Sequence, residues 1–173
     1  QACWTGTHFN SMKIYNCTMG RPCVVLMCLY QMWVGGDLAH ISPTVVVLWV
    51  GTHNHGHTAE QICGGIMAIV QLIKDNLLCY HVCFQPQGVL PRGKMPNPLR
   101  ERNAKVNKLV QEAVSSLPHA SLLNVDPGFV HSDGSISHQD LYDYLHLTPQ
   151  VYQAVCRPLH AHLKGLLEKQ AEN

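Results

Sequence analysis

An aspartate and a histidine near the end of the chain have the spacing of a catalytic acid–base pair. Asp143 stands three residues before His146 in the 173-residue sequence. A carboxylate in that position can fix the tautomer of an imidazole and stabilise its charged form, so that the ring acts as general base. The two residues would supply two parts of a hydrolytic triad. The next question is therefore where a nucleophile lies.

The sequence offers no obvious nucleophile for this pair. A Gly-x-Ser-x-Gly elbow does not occur in the chain. Three serines lie in the loop before the pair: Ser132, Ser135 and Ser137. They flank an Asp-Gly turn, and we interpret them as turn-forming residues. Cys63 and Cys156 lie in predicted helices, where thiols are usually buried and unreactive.

A run of alternating histidines follows an apolar segment, at His53-Asn54-His55-Gly56-His57. Histidines at the end of a strand can ligate zinc. The aspartate found in the His-x-His-x-Asp-His loop of metallo-β-lactamase-like hydrolases is absent, which favours a polar loop lining a cleft. Both interpretations stay open at this point, although we expect no bound metal and no cofactor.

Composition limits the class of protein. Hydrophobic residues make up 46% of the chain and charged residues 13%, with a formal net charge of +1. This predicts one globular domain with a real core and gives no reason to expect nucleic acid as a partner. The eight cysteines include no Cys-x-x-Cys pair. We find no signal peptide and no apolar run long enough for a transmembrane helix, so we expect a cytoplasmic location with reduced thiols.

Strand signals predict a parallel sheet. Residues 44–50 form a β-branched and aromatic run that is apolar on both faces, which is typical of a central parallel strand. Residues 121–126 predict a short strand that stops at Pro127-Gly128. A further strand is expected between the first two helices, although Pro86 falls inside that segment.

Helix signals alternate with these strands. Thr58 and Gln61 form a capping box, and Asn97-Pro98 and Thr148-Pro149 start two further helices. Alternating strands and helices predict a doubly wound α/β fold, in which ligands bind beyond the carboxyl ends of the strands. We divide the chain into an atypical segment at 1–35, an α/β domain at 36–167 and a frayed polar tail at 168–173.

Many ordered stretches together resemble one family of esterases. They resemble the catalytic α subunits of the intracellular platelet-activating factor acetylhydrolases, of the SGNH or GDSL type, and the α1 subunit more than α2. The matching stretches are 45–52, 54–61, 64–66, 68–72, 90–93, 96–100 and 126–147. The resemblance covers about three quarters of the chain.

The resemblance implies a three-layer α/β/α flavodoxin-like (SGNH hydrolase) fold with a Ser-His-Asp triad. It implies that His146 is the base, that Asp143 orients it, and that Leu145 lines the acyl pocket. The implied reaction removes the sn-2 acetyl group of an ether phospholipid by carboxylic-ester hydrolysis. The implied partners are a second α subunit, in a homo- or heterodimer, and a β-propeller regulatory subunit linked to lissencephaly.

The chain departs from the family at the other catalytic positions. The Gly-Asp-Ser nucleophile block is absent, and Gly36-Asp37-Leu38 imitates it without a hydroxyl group. His53 stands where the family has an oxyanion-hole asparagine, and Arg21 where a second block has its glycine. We therefore expect an incomplete sheet on the N-terminal side and a chain that is inactive or strongly impaired. The alternative is a non-catalytic subunit or interaction module.

Overall fold

The computed structural model describes residues 3–9, 12–18, 45–51, 54, 56–76, 81–84, 89–123 and 128–171. The elements in chain order are β1 (Cys3–Phe9), β2 (Met12–Thr18), β3 (Val45–Leu48), α1 (Ala59–Asn76), β4 (His81–Phe84), α2 (Pro98–Ser115), β5 (Ala120–Leu122) and α3 (Pro149–Ala171). β1 and β2 form an antiparallel hairpin, and β3, β4 and β5 form a separate sheet. Gly36-Asp37-Leu38 and Arg21 lie outside the described residues.

The sheet is parallel, with the strand order β3-β4-β5. Val45 pairs with His81 at the start of β4, and Val82 pairs with Ala120 at the start of β5. α1 and α2 connect these strands and pack against each other. The predicted α/β fold with a parallel sheet is confirmed.

The two faces of the sheet contact different helices. Leu48 and Val82 belong to a buried cluster with α1 and α2. Side chains alternate along a strand, so Cys83 and Ser121 point to the opposite face. There the Ser121 hydroxyl lies 3.0 Å from Nε2 of His162 on α3. The sheet therefore lies between α1 and α2 on one side and α3 on the other.

A second buried cluster fills the edge of the sheet where the strands end. Its members come from the loops after β4 and β5 and from the first turns of α3: Leu90, Phe129, Ile136, Leu141, Leu147, Val151 and Val155. Trp49, just after β3, packs against it. This cluster anchors the loop that carries Asp143 and His146 to the domain.

The predicted helix starts are confirmed, and their caps are visible. The Thr58 N–H donates to the Gln61 side chain at 2.9 Å, and the Gln61 N–H donates to the Thr58 hydroxyl at 3.2 Å. Asn97 caps α2 by accepting a hydrogen bond from the Arg100 N–H at 3.1 Å. α3 begins at Pro149 as expected.

Three element bounds differ from the prediction. β4 ends at Phe84, before Pro86, which lies outside the described residues. β5 ends at Leu122, whereas the predicted strand ran to 126. α3 extends to Ala171, past residue 168 where the frayed tail was expected to begin. An ion pair between Lys164 and Glu168 at 3.7 Å supports these last turns. None of the helices in the described ranges is long and apolar enough to cross a bilayer.

Candidate active site

The structure brings the side chains of Asp143 and His146 into contact. Nδ1 of His146 lies 2.6 Å from Oδ2 of Asp143. An ionised carboxylate can only accept, so Nδ1 donates, and Nε2 is the ring atom that can take up a proton. Both side chains are 43% exposed, which leaves the pair accessible from solvent. In this arrangement Asp143 fixes the orientation of the His146 ring and leaves Nε2 outside that contact.

The other carboxylate oxygen of Asp143 organises the backbone around the pair. Oδ1 accepts hydrogen bonds from the N–H groups of Leu145 at 3.0 Å and His146 at 2.7 Å. Burial, the largest single influence, raises the pKa of Asp143. The hydrogen bonds from His146 and Leu145 and the nearby imidazole together outweigh it and hold that pKa below its ordinary value. Asp143 is therefore ionised at neutral pH.

Tyr144, between the two residues, adopts an unusual backbone conformation. Its φ is 58°, in the left-handed region that tyrosine rarely occupies. Three contacts hold it there: its N–H donates to Leu141 O at 2.9 Å, its carbonyl accepts from Gly93 N–H at 3.0 Å, and its ring lies 4.3 Å from that of His138. This turn brings the His146 ring back onto the Asp143 carboxylate.

The base of the loop is closed by further hydrogen bonds. Leu141 and Leu147 form an isolated antiparallel bridge, and the Tyr142 N–H donates to His146 O at 3.1 Å. The Tyr142 ring stacks on the His146 ring, with centroids 5.7 Å apart and planes 20° apart. Asp143 and His146 therefore lie on a loop whose two ends are joined by hydrogen bonds, as in a hairpin.

Side chains of α2 connect the loops at the carboxyl edge of the sheet. Arg102 donates to the carbonyls of Asn54 at 3.2 Å and His57 at 3.3 Å, in the loop after β3. Asn107 bonds both the N–H and the carbonyl of Val89, in the loop after β4. Ligands bind at this edge in open α/β sheets, so the pair lies where the fold predicts chemistry.

The predicted turn-forming role of the loop serines is confirmed for two of the three. The Ser135 hydroxyl donates to Asp133 at 2.7 Å, and the Ser137 hydroxyl accepts from the Gln139 N–H at 3.1 Å. The cysteine candidates differ from each other. Burial, together with the charge of nearby Glu60, raises the pKa of the half-buried Cys63 thiol, so little reactive thiolate forms. Cys156 lies on α3, as predicted, and is exposed.

The oxyanion and histidine-run positions are only partly described. His53 and His55 lie outside the described residues, and His57 is half-buried. Within the described ranges, no group of three or more His, Cys, Asp or Glu side chains is placed to hold a metal. Gly51 has φ 108°, and a Cβ there would lie 2.8 Å from Val89, so this turn requires glycine. Leu145, the predicted acyl-pocket residue, is half-buried.

One serine–histidine contact was not expected from the sequence. Ser121 of β5 and His162 of α3 meet at 3.0 Å, and the Ser121 hydroxyl also lies 3.7 Å from the Cys83 sulfur. No local motif marks these residues, because they come together only when α3 covers the sheet. Ser121 is the middle residue of its strand, and the contact ties α3 to the sheet.

Solved structures place the chain in a fold class. A protein from Streptococcus pneumonia, described as a platelet activating factor, matches with a TM-score of 0.59 and 19% identity, over 74% of this chain and 67% of that one. A GDSL-like lipase from Bacteroides thetaiotaomicron matches with a TM-score of 0.53 and 19% identity, over 82% and 69%. The chain therefore has the fold of the GDSL-like lipases, the SGNH hydrolase fold.

Curated relatives identify the family. The platelet-activating factor acetylhydrolase IB subunits alpha1 of Bos taurus and Homo sapiens are each 56% identical over 138 residues, which is 76% of this chain and 56% of each relative. The alpha2 subunit of Gallus gallus is 47% identical over 161 residues, covering 82% and 67%. The chain belongs to the family of platelet-activating factor acetylhydrolase IB alpha subunits. It spans about half the length of the alpha1 relatives it matches, and no protein-family model matches it.

Proposed function

We propose that the 173-residue chain retains the general base and orienting acid of an ester hydrolase but is inactive or strongly impaired as an enzyme. The observation that supports this is the 2.6 Å contact between Nδ1 of His146 and Oδ2 of Asp143, in a chain whose sequence lacks the Gly-Asp-Ser block. In the proposed reaction, hydrolysis of a carboxylic ester removes the sn-2 acetyl group from an ether phospholipid. Nε2 of His146 would accept the proton of the attacking hydroxyl, and Asp143 would stabilise the imidazolium.

The magnitude of the impairment follows from the missing parts. Loss of the nucleophile in serine hydrolases lowers kcat by about 10⁶. Loss of one oxyanion-hole donor costs about 10²–10³, which applies if His53 fails to replace the amide. The catalysis of about 10³–10⁴ over water that survives loss of a nucleophile comes from the oxyanion hole and substrate binding. Loss of an oxyanion donor as well would therefore bring the expected rate close to that of buffer.

Hydrolysis of an acetyl-ester ether phospholipid by the purified chain tests the proposal. We expect the wild type, H146A and D143N to release acetate at the same rate, close to that of buffer. A matched change at an exposed histidine, H160A, serves as control. Turnover that is well above buffer and is lost in H146A but kept in H160A would contradict the proposed impairment.

A subunit role is the second candidate function. It is supported by the relatives, which are named as subunits alpha1 and alpha2. We propose that the chain pairs with an intact alpha subunit or with a β-propeller regulatory partner in the cytoplasm. Size-exclusion chromatography with an intact alpha subunit should then show co-elution. Separate elution of the two proteins at micromolar concentration would count against this role.

A further inference from the structure

Arg100 connects two loops and is not part of the proposed acid–base pair. It lies in the first turn of α2 and is half-buried. Its two terminal nitrogens donate to two backbone carbonyls, those of Gly134 and Gly93. The first carbonyl belongs to the loop after β5 and the second to the loop after β4. A planar guanidinium can satisfy two such acceptors at once, which an ammonium cannot do with the same geometry.

The Gly93 backbone connects Arg100 to the loop that bears Asp143 and His146. Its carbonyl accepts from Arg100, and its N–H donates to the carbonyl of Tyr144 at 3.0 Å. The next carbonyl, of Lys94, accepts from the Ile136 N–H at 2.9 Å. Both contacts join the loop after β4 to the loop that bears Asp143 and His146.

We propose that Arg100 is a positioning residue for the Asp143–His146 pair. By holding the carbonyls of Gly93 and Gly134, it keeps the Gly93 N–H against Tyr144 and so maintains the left-handed turn. That turn points the Asp143 carboxylate at the His146 ring.

The physical reason is that the turn is unfavourable by itself. A tyrosine with φ 58° persists only where its surroundings hold it. Without Arg100, the loop after β4 loses a charge-assisted bond at the Gly93 carbonyl. The Gly93 N–H is then held less firmly, because Asn97, which donates to the Arg92 carbonyl at 2.6 Å, fixes its peptide unit from α2 without the help of Arg100. Tyr144 then relaxes to negative φ, which rotates Asp143 relative to His146. Arg100 touches neither side chain of the pair, so it acts through the backbone.

The His146 Nδ1–H resonance in proton NMR of the full 173-residue chain tests this role. A proton held between a ring nitrogen and a carboxylate oxygen gives a downfield signal, so it reports the contact directly. This positioning role rests on the proposed function of the pair, but the signal is independent of hydrolysis, so the two can fail separately. The variants are R100A and R100K, with R157A, an exposed arginine of α3, as matched control.

We expect the downfield signal in the wild type and in R157A, and its loss in R100A. The pKa of Asp143, followed by NMR, should rise towards its ordinary value in R100A as its hydrogen bonds weaken. R100K keeps the charge and the aliphatic stem, so it should fold even if R100A does not, and it should also lose the signal. An unchanged signal and Asp143 titration in folded R100A, or full retention in R100K, would overturn the proposal.

Discussion

Replacement of Asn103 tests how α2 supports the loops at the carboxyl edge of the sheet. Asn103 is only 1% exposed, and its side-chain amide donates to the carbonyl of Leu90 at 2.8 Å. Its side-chain oxygen accepts from Arg102 at 3.0 Å. Leu90 is itself buried, so N103A leaves a carbonyl without its protein donor in a site that water reaches poorly.

The expected loss of stability follows from these contacts. An unsatisfied buried polar group costs about 1–3 kcal/mol, and the lost bond to a charged guanidinium contributes about 1 kcal/mol more at this half-buried position. Alanine regains roughly 0.5 kcal/mol of helix propensity over asparagine. We therefore expect N103A to lower the free energy of unfolding by about 1.5–3.5 kcal/mol. That is a large share of the roughly 5–15 kcal/mol of a typical domain.

Urea unfolding followed by circular dichroism measures this loss. Q111A, an exposed change on the same helix, is the control and should stay within about 0.5 kcal/mol of the wild type. N103L keeps the branched shape of the side chain but removes the polar atoms, so it should be no better than N103A if the hydrogen bonds dominate. An N103A free energy of unfolding equal to that of Q111A would refute the reasoning.

Three further predictions concern titration and backbone conformation. The pKa of Asp143 in the folded chain should lie below the ordinary 3.8. The ionised carboxylate therefore contributes its full stabilisation of the fold above pH 3.8, and that contribution is lost as the pH falls through the pKa of the folded state; an NMR titration midpoint at or above 3.8 would contradict this. G93A should destabilise the fold by more than about 1 kcal/mol in urea unfolding, because φ at Gly93 is +86° and a Cβ would lie 2.5 Å from Asn97. G165A, in open space on α3, should be neutral or stabilising, and similar results for the two changes would be inconsistent with this conformation. Burial, together with two neighbouring histidines, lowers the pKa of His81, so the free energy of unfolding should fall as pH drops below about 6.5. This fall should be smaller in H81Q, and an equal pH dependence of the urea midpoints of wild type and H81Q would contradict the prediction.

Local signals in the sequence were sufficient to predict helix starts and a parallel strand. Thr58 with Gln61 and Asn97 before Pro98 predicted helix starts, because a cap acts within three residues of its own position. The apolar run at 44–50 predicted a parallel strand for a similar reason, since burial on both faces leaves a continuous pattern.

Long-range contacts account for what the sequence did not show. The left-handed turn at Tyr144 depends on the N–H of Gly93, and the link to α2 depends on Arg100 reaching Gly134. No spacing rule predicts a positive φ at a tyrosine, because its cost is offset only by distant partners. The Ser121–His162 contact was missed for the same reason.

Our central proposal is that the Asp143–His146 pair, whose side chains are in contact at 2.6 Å, serves no nucleophile in this chain. The most direct measurement is intact-protein mass spectrometry after treatment with a fluorophosphonate, which forms a covalent bond with activated serines. We expect the masses of wild type and H146A to be equally unchanged. Stoichiometric addition to one serine in the wild type, abolished in H146A, would contradict the claim and would identify that serine as the missing member of the triad.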